Sequence, residues 1–390
     1  MERNVTLDFV RGVAILGILL LNVTAFGLPK AAYLNPAWAG SVSQADAWTW
    51  ALLDLFAQVK FLTLFALLFG AGLYMLLSRG KRWIQARLTL LVLLGFFHSI
   101  VLWDGDILLA YGLVGIICWR LIRDAHSNRQ LFNTGVVLYL MGIGVLILLG
   151  AISGTHTSRT WVPDAANIQY ETWWKLTGGT VAMQSRLGLL SDNMMALAAQ
   201  YGWQLAGMML LGAALMRSGW LRGQFSLQHY RRTGFLLVGL GMLINIPAII
   251  AQWYVGWSYH WCAFWLQIPR ELSAPIQTIG YAALAWGFWP QLAPLKLVAA
   301  ITCVGRMALT NYLLQTLICT TVFYHLGLYL TLTRFQLLGL VPVIWLINMG
   351  ISVLWMRHFR QGPVEWLWRY LTARAAGKRM ATSPQDLNHK

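Results

Sequence analysis

Leu7-Asp8-Phe9-Val10-Arg11-Gly12-Val13-Ala14-Ile15-Leu16-Gly17-Ile18-Leu19-Leu20-Leu21-Asn22 decides the fold class of this 390-residue chain. An acid and an arginine open an apolar run that continues to residue 28. Three residues apart, Asp8 and Arg11 share a helix face and can pair. The run is long enough to cross a bilayer as a helix. It does not read as a cleaved leader, because charges sit in its start and no small-x-small site follows. Nine similar runs follow, at about 50–77, 86–103, 106–123, 131–152, 193–216, 234–253, 273–290, 303–326 and 336–356. The expectation is an all-α polytopic membrane protein with ten transmembrane helices.

Composition agrees. Hydrophobic residues make up 58% and charged residues 11%, whereas a soluble domain carries about 25% charged residues. This excludes an ordinary soluble enzyme, a disordered chain and a secreted disulfide scaffold. The net charge of +16 does not point to nucleic acid, because the basic residues sit in short clusters between apolar runs. Of the 29 Lys and Arg, 20 fall on one side of the predicted bundle, 6 on the other and 3 within or at the ends of spans. The positive-inside rule then puts both termini in the cytoplasm.

The longest outer segment, 153–192, divides the chain. The expected organisation is a five-helix half at 1–152, a periplasmic loop at 153–192, a second five-helix half at 193–356, and a cytoplasmic tail at 357–390. In that tail, Pro363 through Arg369 reads as an interfacial helix with Glu365 and Arg369 four apart. An odd number of spans in each half permits an inverted repeat.

Polar residues inside apolar runs are the functional candidates, because burying them unpaired in lipid costs several kcal/mol. On the cytoplasmic side these are Arg11 with Asp8, and Arg306 with Asn311 and Gln315, which share a face. The alternative is snorkelling arginines and helix-stitching amides. Toward the outer side, Asn22 follows Arg11 by about three turns, roughly 16 Å. Asp54 and Lys60 lie about 120° apart on one helix, so each needs another partner. His98 precedes the turn Trp103-Asp104-Gly105-Asp106, and a His near a carboxylate can act as a general base held in one tautomer. The structural alternative is a hydrogen-bonded turn.

No phosphate loop, HExxH, GxSxG or GxGxxG pattern is present, which argues against ATP-driven transport by this chain alone and against zinc proteolysis. The cysteines form no C-x-x-C pair, so no metal ligand set is expected. The glycines at 202, 207 and 212, and at 234, 239 and 241, suit close helix packing.

Taken together, Leu7 through Ile18 with Asn22, Lys60-Phe61 with Leu68-Phe69-Gly70-Ala71-Gly72, His98 with Gly105-Asp106-Ile107-Leu108, Gly305-Arg306-Met307-Ala308-Leu309-Thr310-Asn311-Tyr312 with Gln315, and Gly362 through Arg369 resemble the YeiB-like family of bacterial inner-membrane proteins. The resemblance implies the bacterial inner membrane and identifies no chemistry. The Arg11-Gly12 to Asn22 spacing is also similar, more distantly, to the first span of the transmembrane acyltransferases. Those enzymes pass an acyl group from cytosolic acyl-CoA to an acceptor across the membrane. Their catalytic His follows the Asn; eleven residues after Asn22 this chain has Tyr33. Either His98 substitutes, or the chain does other work on the same scaffold.

Two functions follow. In acyl transfer, Arg11 and Arg306 attract the donor's phosphates, Asn22 and Asn311 position the acyl carbonyl, and His98 with Asp106 activates a periplasmic acceptor. Acyl-CoA is then a co-substrate, and no tightly bound cofactor or nucleic acid is expected. In the alternative, a transporter or ligand-binding membrane protein, Lys60, Asp54 and Asn22 line a substrate or proton path. The bilayer is a partner in both cases, and the oligomeric state is open, a homodimer included.

The basic-residue split has a direct test. A cytoplasm-only reporter fused after residue 390 should be active, and one fused within 153–192 should be silent. The reverse pattern would invert every side assignment.

Overall fold

The computed structural model describes residues 4–154 and 156–377. Arg3, Lys378, Arg379 and Lys390 of the basic count lie outside the described residues. Helices follow one another as α1 (Val5–Gly27), α2 (Gln44–Phe56), α3 (Lys60–Leu76), α4 (Lys81–Val101), α5 (Leu108–Asp124), α6 (Asn128–Ile152), α7 (Ala165–Thr177), α8 (Gly179–Ala196) and α9 (Gly202–Arg217). Next come α10 (Leu227–Tyr254), α11 (Tyr259–Cys262), α12 (Ile268–Gly287), α13 (Trp289–Leu292), α14 (Lys296–Arg306), α15 (Ala308–Thr320), α16 (Arg334–His358) and α17 (Pro363–Ala375). Among the described residues there is no strand.

Each apolar run falls on helix. Six helical segments, one of them α2 and α3 taken together as Gln44–Arg79, are long and apolar enough to cross a membrane, or seven if α14 and α15, bent by 90° at Met307, count as one span. The protein is thus a multi-pass helical membrane protein. The runs at 106–123, 193–216, 273–290 and 303–326 fall on shorter, interrupted or more polar helices. The 153–192 segment is not irregular, since it carries α7 and most of α8.

Burial sorts the helices. The apolar window of α1 is 72% buried, against 28% for α10 and α16, so α1 is central and the other two present apolar faces outward. Contacts cross the 153–192 segment: α1 packs along α14, and α3 along α9. Small residues allow this. A side chain at Gly305 would strike the Asp8 carbonyl, one at Gly12 the Ile301 carbonyl, and ones at Gly70 and Gly212 the carbonyls of Met209 and Leu67. Of the glycines expected to pack closely, Gly207, Gly212, Gly234 and Gly241 meet a neighbouring helix. Gly202 meets its own preceding turn, and Gly239 faces open space.

Gly305 and Gly239 therefore form a test pair. Gly305→Val should destabilise the detergent-solubilised protein by about 1–3 kcal/mol or prevent folding, whereas Gly239→Val should leave the melting temperature nearly unchanged. Thermal denaturation of both variants checks this.

Candidate functional site

α4 ends at Val101, and the turn returns the chain so that Asp106 stands just before α5. Gly105 is needed there because a side chain would run into the Trp103 ring. His98 Nδ1 lies 2.8 Å from Asp106 Oδ1, and both side chains are 1% exposed. Asp106 Oδ2 accepts from the Leu109 amide at 2.8 Å, which caps the first turn of α5 and fixes the carboxylate. His98 Nε2 lies 3.1 Å from Thr316 Oγ1 on α15. The ring centroid is 5.3 Å from that of Tyr312, whose hydroxyl oxygen accepts from the Ile107 amide at 3.2 Å. Nδ1 faces Asp106 and Nε2 faces Thr316, and the ring opens on neither cavity described below, so any proton reaches it through Asp106 or Thr316. Asp104 is not part of this pair. Its carbonyl accepts from Asn193, and the nearby Arg186 closes the end of α4 by donating to the Ile100 and Val101 carbonyls.

Two cavities flank the pair. The first, about 320 Å³, has Arg11, Arg87, Arg306, Glu365 and Trp368 at the basic end of the bundle. It runs between apolar side chains such as Phe65, Leu68, Phe69 and Leu91 to Ile107, Tyr111 and Tyr312. The second, about 310 Å³, is more polar and is lined by Thr63, Asp106, Gln200, Tyr201, Gln204 and Glu271. Ile107 and Tyr111 line both, so they form a common wall.

Behind the second cavity lies a buried ionic cluster. α2 breaks before α3, with Val59 at φ 68°, an unusual conformation for a β-branched residue. Lys60, 0% exposed, donates to the Asp54 carbonyl at 2.5 Å. The Asp54 carboxylate pairs with Arg270 at 3.1 Å and accepts from Asn245 at 2.9 Å. Arg270 also lies 3.6 Å from Glu271. The partner that Asp54 required is thus Arg270, which lies just outside the apolar run at 273–290. Tyr33, outside the spans, faces the same cluster: burial pushes its phenol up to about 12, with Arg270 opposing and Glu271 adding to the shift.

The remaining candidates divide. Asp8 and Arg11 pair at 3.0 Å as spacing required. Asn311 donates to the Val304 and Met307 carbonyls and to Ser352, and accepts from Asn348. Gln315 donates to the Ile15 carbonyl. Both amides stitch helices and line neither cavity, so they are not placed to hold an acyl carbonyl. Asn22 is half-buried and also lines neither. Glu365 does not pair with Arg369. Its carboxylate accepts from the amides of Leu309 at 2.7 Å and Thr310 at 3.0 Å and from the Thr310 hydroxyl at 2.5 Å. It caps the start of α15, where exposed amides and the helix dipole favour an anion over a solvated i,i+4 pair. Arg369 shares α17 with Trp368, whose ring lies 3.5 Å from the Arg87 guanidinium. Among the described residues no group of three His, Cys, Asp or Glu could hold a metal.

Sequence reasoning missed Arg87, Arg270, Glu271, Gln204 and Thr316. For α12 a signal existed: Arg270, Gln277, Thr278 and Tyr281 recur at helical spacing and make a polar stripe.

The family described as "Protein of unknown function (DUF418)" matches residues 215–375. "Uncharacterized protein YeiB" of Escherichia coli (strain K12) is 72% identical over 377 residues, 97% of this chain and 98% of that protein. "Uncharacterized protein YxaH" of Bacillus subtilis (strain 168) is 30% identical, covering 95% and 94% of the two chains. No solved structure matches.

The ionic cluster predicts a large stability effect. Asp54→Ala removes the nearer carboxylate from buried Arg270 and leaves only Glu271 at 3.6 Å, which should cost up to about 3–5 kcal/mol. Asp54→Asn, which keeps one acceptor, should cost less. Melting temperatures in detergent, compared with the parent, distinguish the two.

Proposed function

The chain belongs to the YeiB family, and we propose that it is an acyltransferase-like protein of the bacterial inner membrane. In this reading ten spans cross the bilayer with both termini in the cytoplasm, and the first cavity opens to the cytosol. The observation that carries the proposal is that cavity: a cationic mouth, an apolar shaft, and an inner end at Ile107 and Tyr312 beside the His98–Asp106 pair. An acyl-CoA has matching chemistry, since its phosphates suit Arg11, Arg87 and Arg306 and its arm and acyl chain suit the shaft.

The acceptor's hydroxyl or amine, entering by the second cavity on the periplasmic side, attacks the thioester carbonyl. The carbon–sulfur bond breaks, and CoA leaves as the thiol by the basic mouth. The acceptor's proton passes to the His98–Asp106 pair through Asp106, the member that lines the second cavity, and the departing sulfur takes up a proton from solvent at the basic mouth. For that bond to form, the Ile107 and Tyr111 side chains between the cavities have to give way locally, and holding both reactants beside that point orients the encounter.

One observation favours a second reading. The broken helix α2–α3, with buried Lys60, Asp54, Arg270 and Glu271 beside it, has the features of a transporter's central site. In that case substrate flux would depend on these residues and no acyl turnover would occur.

Arg11→Ala and Arg306→Ala should each weaken acyl-CoA binding about tenfold, and more at low salt, where exposed charges act at longer range. His98→Ala should abolish acyl turnover while donor binding and folding persist. Asp106→Asn should also abolish turnover while folding persists, because an amide can still cap α5 but cannot take up the acceptor's proton. Binding and thioester hydrolysis by the purified protein measure both. Absence of acyl-CoA binding by the parent, or full turnover by His98→Ala, would overturn the reading.

A further inference from the structure

We propose that the second cavity binds a small, uncharged, hydroxyl-rich molecule. Its volume of about 310 Å³ suits a small ligand. Three features of its walls set the ligand's class.

The polar wall is an ordered relay. Gln200 Nε2 donates to Gln204 Oε1 at 2.7 Å, and Gln204 Nε2 donates to Glu271 Oε2 at 3.2 Å. The relay runs toward the carboxylate, so it leaves Gln200 Oε1 as an acceptor with no protein donor among the described residues. Glu271 and Asp106 supply further acceptor lone pairs, and the Tyr201 and Thr63 hydroxyls can donate or accept. A ligand bearing several O–H groups matches this set.

Both carboxylates are engaged from outside the cavity. Arg270 lies 3.6 Å from Glu271, and His98 lies 2.8 Å from Asp106; neither base lines the cavity. A cation entering would compete with these bases for carboxylates already paired. An anion would meet the carboxylates directly. A neutral donor-rich molecule uses the acceptors without disturbing either pair.

The backbone is irregular on two walls. Gln200 and Tyr201 come from a π-helical turn, Leu197–Tyr201, between α8 and α9. That insertion brings two successive side chains to one cavity, and such turns recur at functional sites. Opposite them, Val59 holds its positive φ, a strain that packing has to maintain.

This inference rests on the acyl-transfer reading only in naming the molecule the acceptor, and direct binding tests it separately. The purified full-length protein is titrated with D-glucose, myo-inositol and glycerol, and binding is read by calorimetry and melting temperature. At least one should bind, with glucuronate and glucosamine, the anionic and cationic counterparts of glucose, at least about tenfold weaker. Gln200→Leu and Tyr201→Phe sit on the cavity wall and should fold normally; each should weaken binding about tenfold, by loss of a hydrogen bond. No binding by any of the three, equal binding of the charged sugars, or unchanged affinity in both variants would overturn the proposal. Acyl-CoA hydrolysis measured in parallel separates the failures. Polyol binding without turnover keeps this site and removes acyl transfer, and turnover without polyol binding does the reverse.

Discussion

Where α2 gives way to α3, backbone carbonyls lose their helical partners inside an apolar bundle, and they have to be satisfied from within the protein. The Asp54 carbonyl takes Lys60 and Asn245, the Leu55 carbonyl takes Gln277, and the Phe56 carbonyl takes the Tyr281 hydroxyl. The Lys60 carbonyl takes Thr278. This requirement explains the polar stripe on α12 and the close pairing of α10 with α12. It also explains the cluster's ion pair, because the stripe that serves the break brings Arg270 to Asp54. Glu271, next in sequence to Arg270, is thereby set at the wall of the second cavity.

The bend between α14 and α15 obeys the same rule with different groups. Its exposed amides are covered by Glu365, which arrives from more than fifty residues away, and Val364 adds a bond to the Thr310 hydroxyl at 3.2 Å. α17 therefore docks on the break instead of lying free at the membrane surface. Trp368 then donates to the Arg87 carbonyl at 2.9 Å and helps shape the cationic mouth. Each cavity is thus built beside a broken helix.

Local spacing made part of this legible. Asp8 and Arg11 share a face at three residues, and the eight residues from His98 to Asp106 include a turn short enough to bring the carboxylate back. The ten apolar runs carried the helical architecture. Partners distant in the chain were not legible: Asp54 and Arg270 are separated by 216 residues, and their pairing depends on the end of α2 meeting α12. Glu365 shows a local rule losing to a tertiary one. An exposed i,i+4 pair contributes about 0.2–0.5 kcal/mol, whereas a carboxylate bonded to two helix-terminal amides and a hydroxyl contributes more. Asn311 and Gln315 were visible as polar residues in an apolar run, but their periodicity could not distinguish a stitching amide from one that faces a ligand.

The wall between the cavities bears on which function this scaffold serves. Tyr111 donates its hydroxyl to the Leu62 carbonyl at 2.8 Å, and Tyr312 receives the Ile107 amide. Both rings are 2% exposed, so Tyr111, which lines both cavities, is tied to the backbone of α3, and Tyr312, at the inner end of the first cavity, to the turn before α5. Moving Tyr111 aside would leave its buried hydroxyl without the Leu62 carbonyl, and moving Tyr312 would take the partner of the Ile107 amide, at about 1–3 kcal/mol each. A path for a whole molecule would need both to move, together with the Asp106 cap that holds the same turn. Any exchange between the two cavities, of a whole molecule or of a group, therefore has to begin by opening this wall, and the hydrogen bonds that fix it set the cost of doing so.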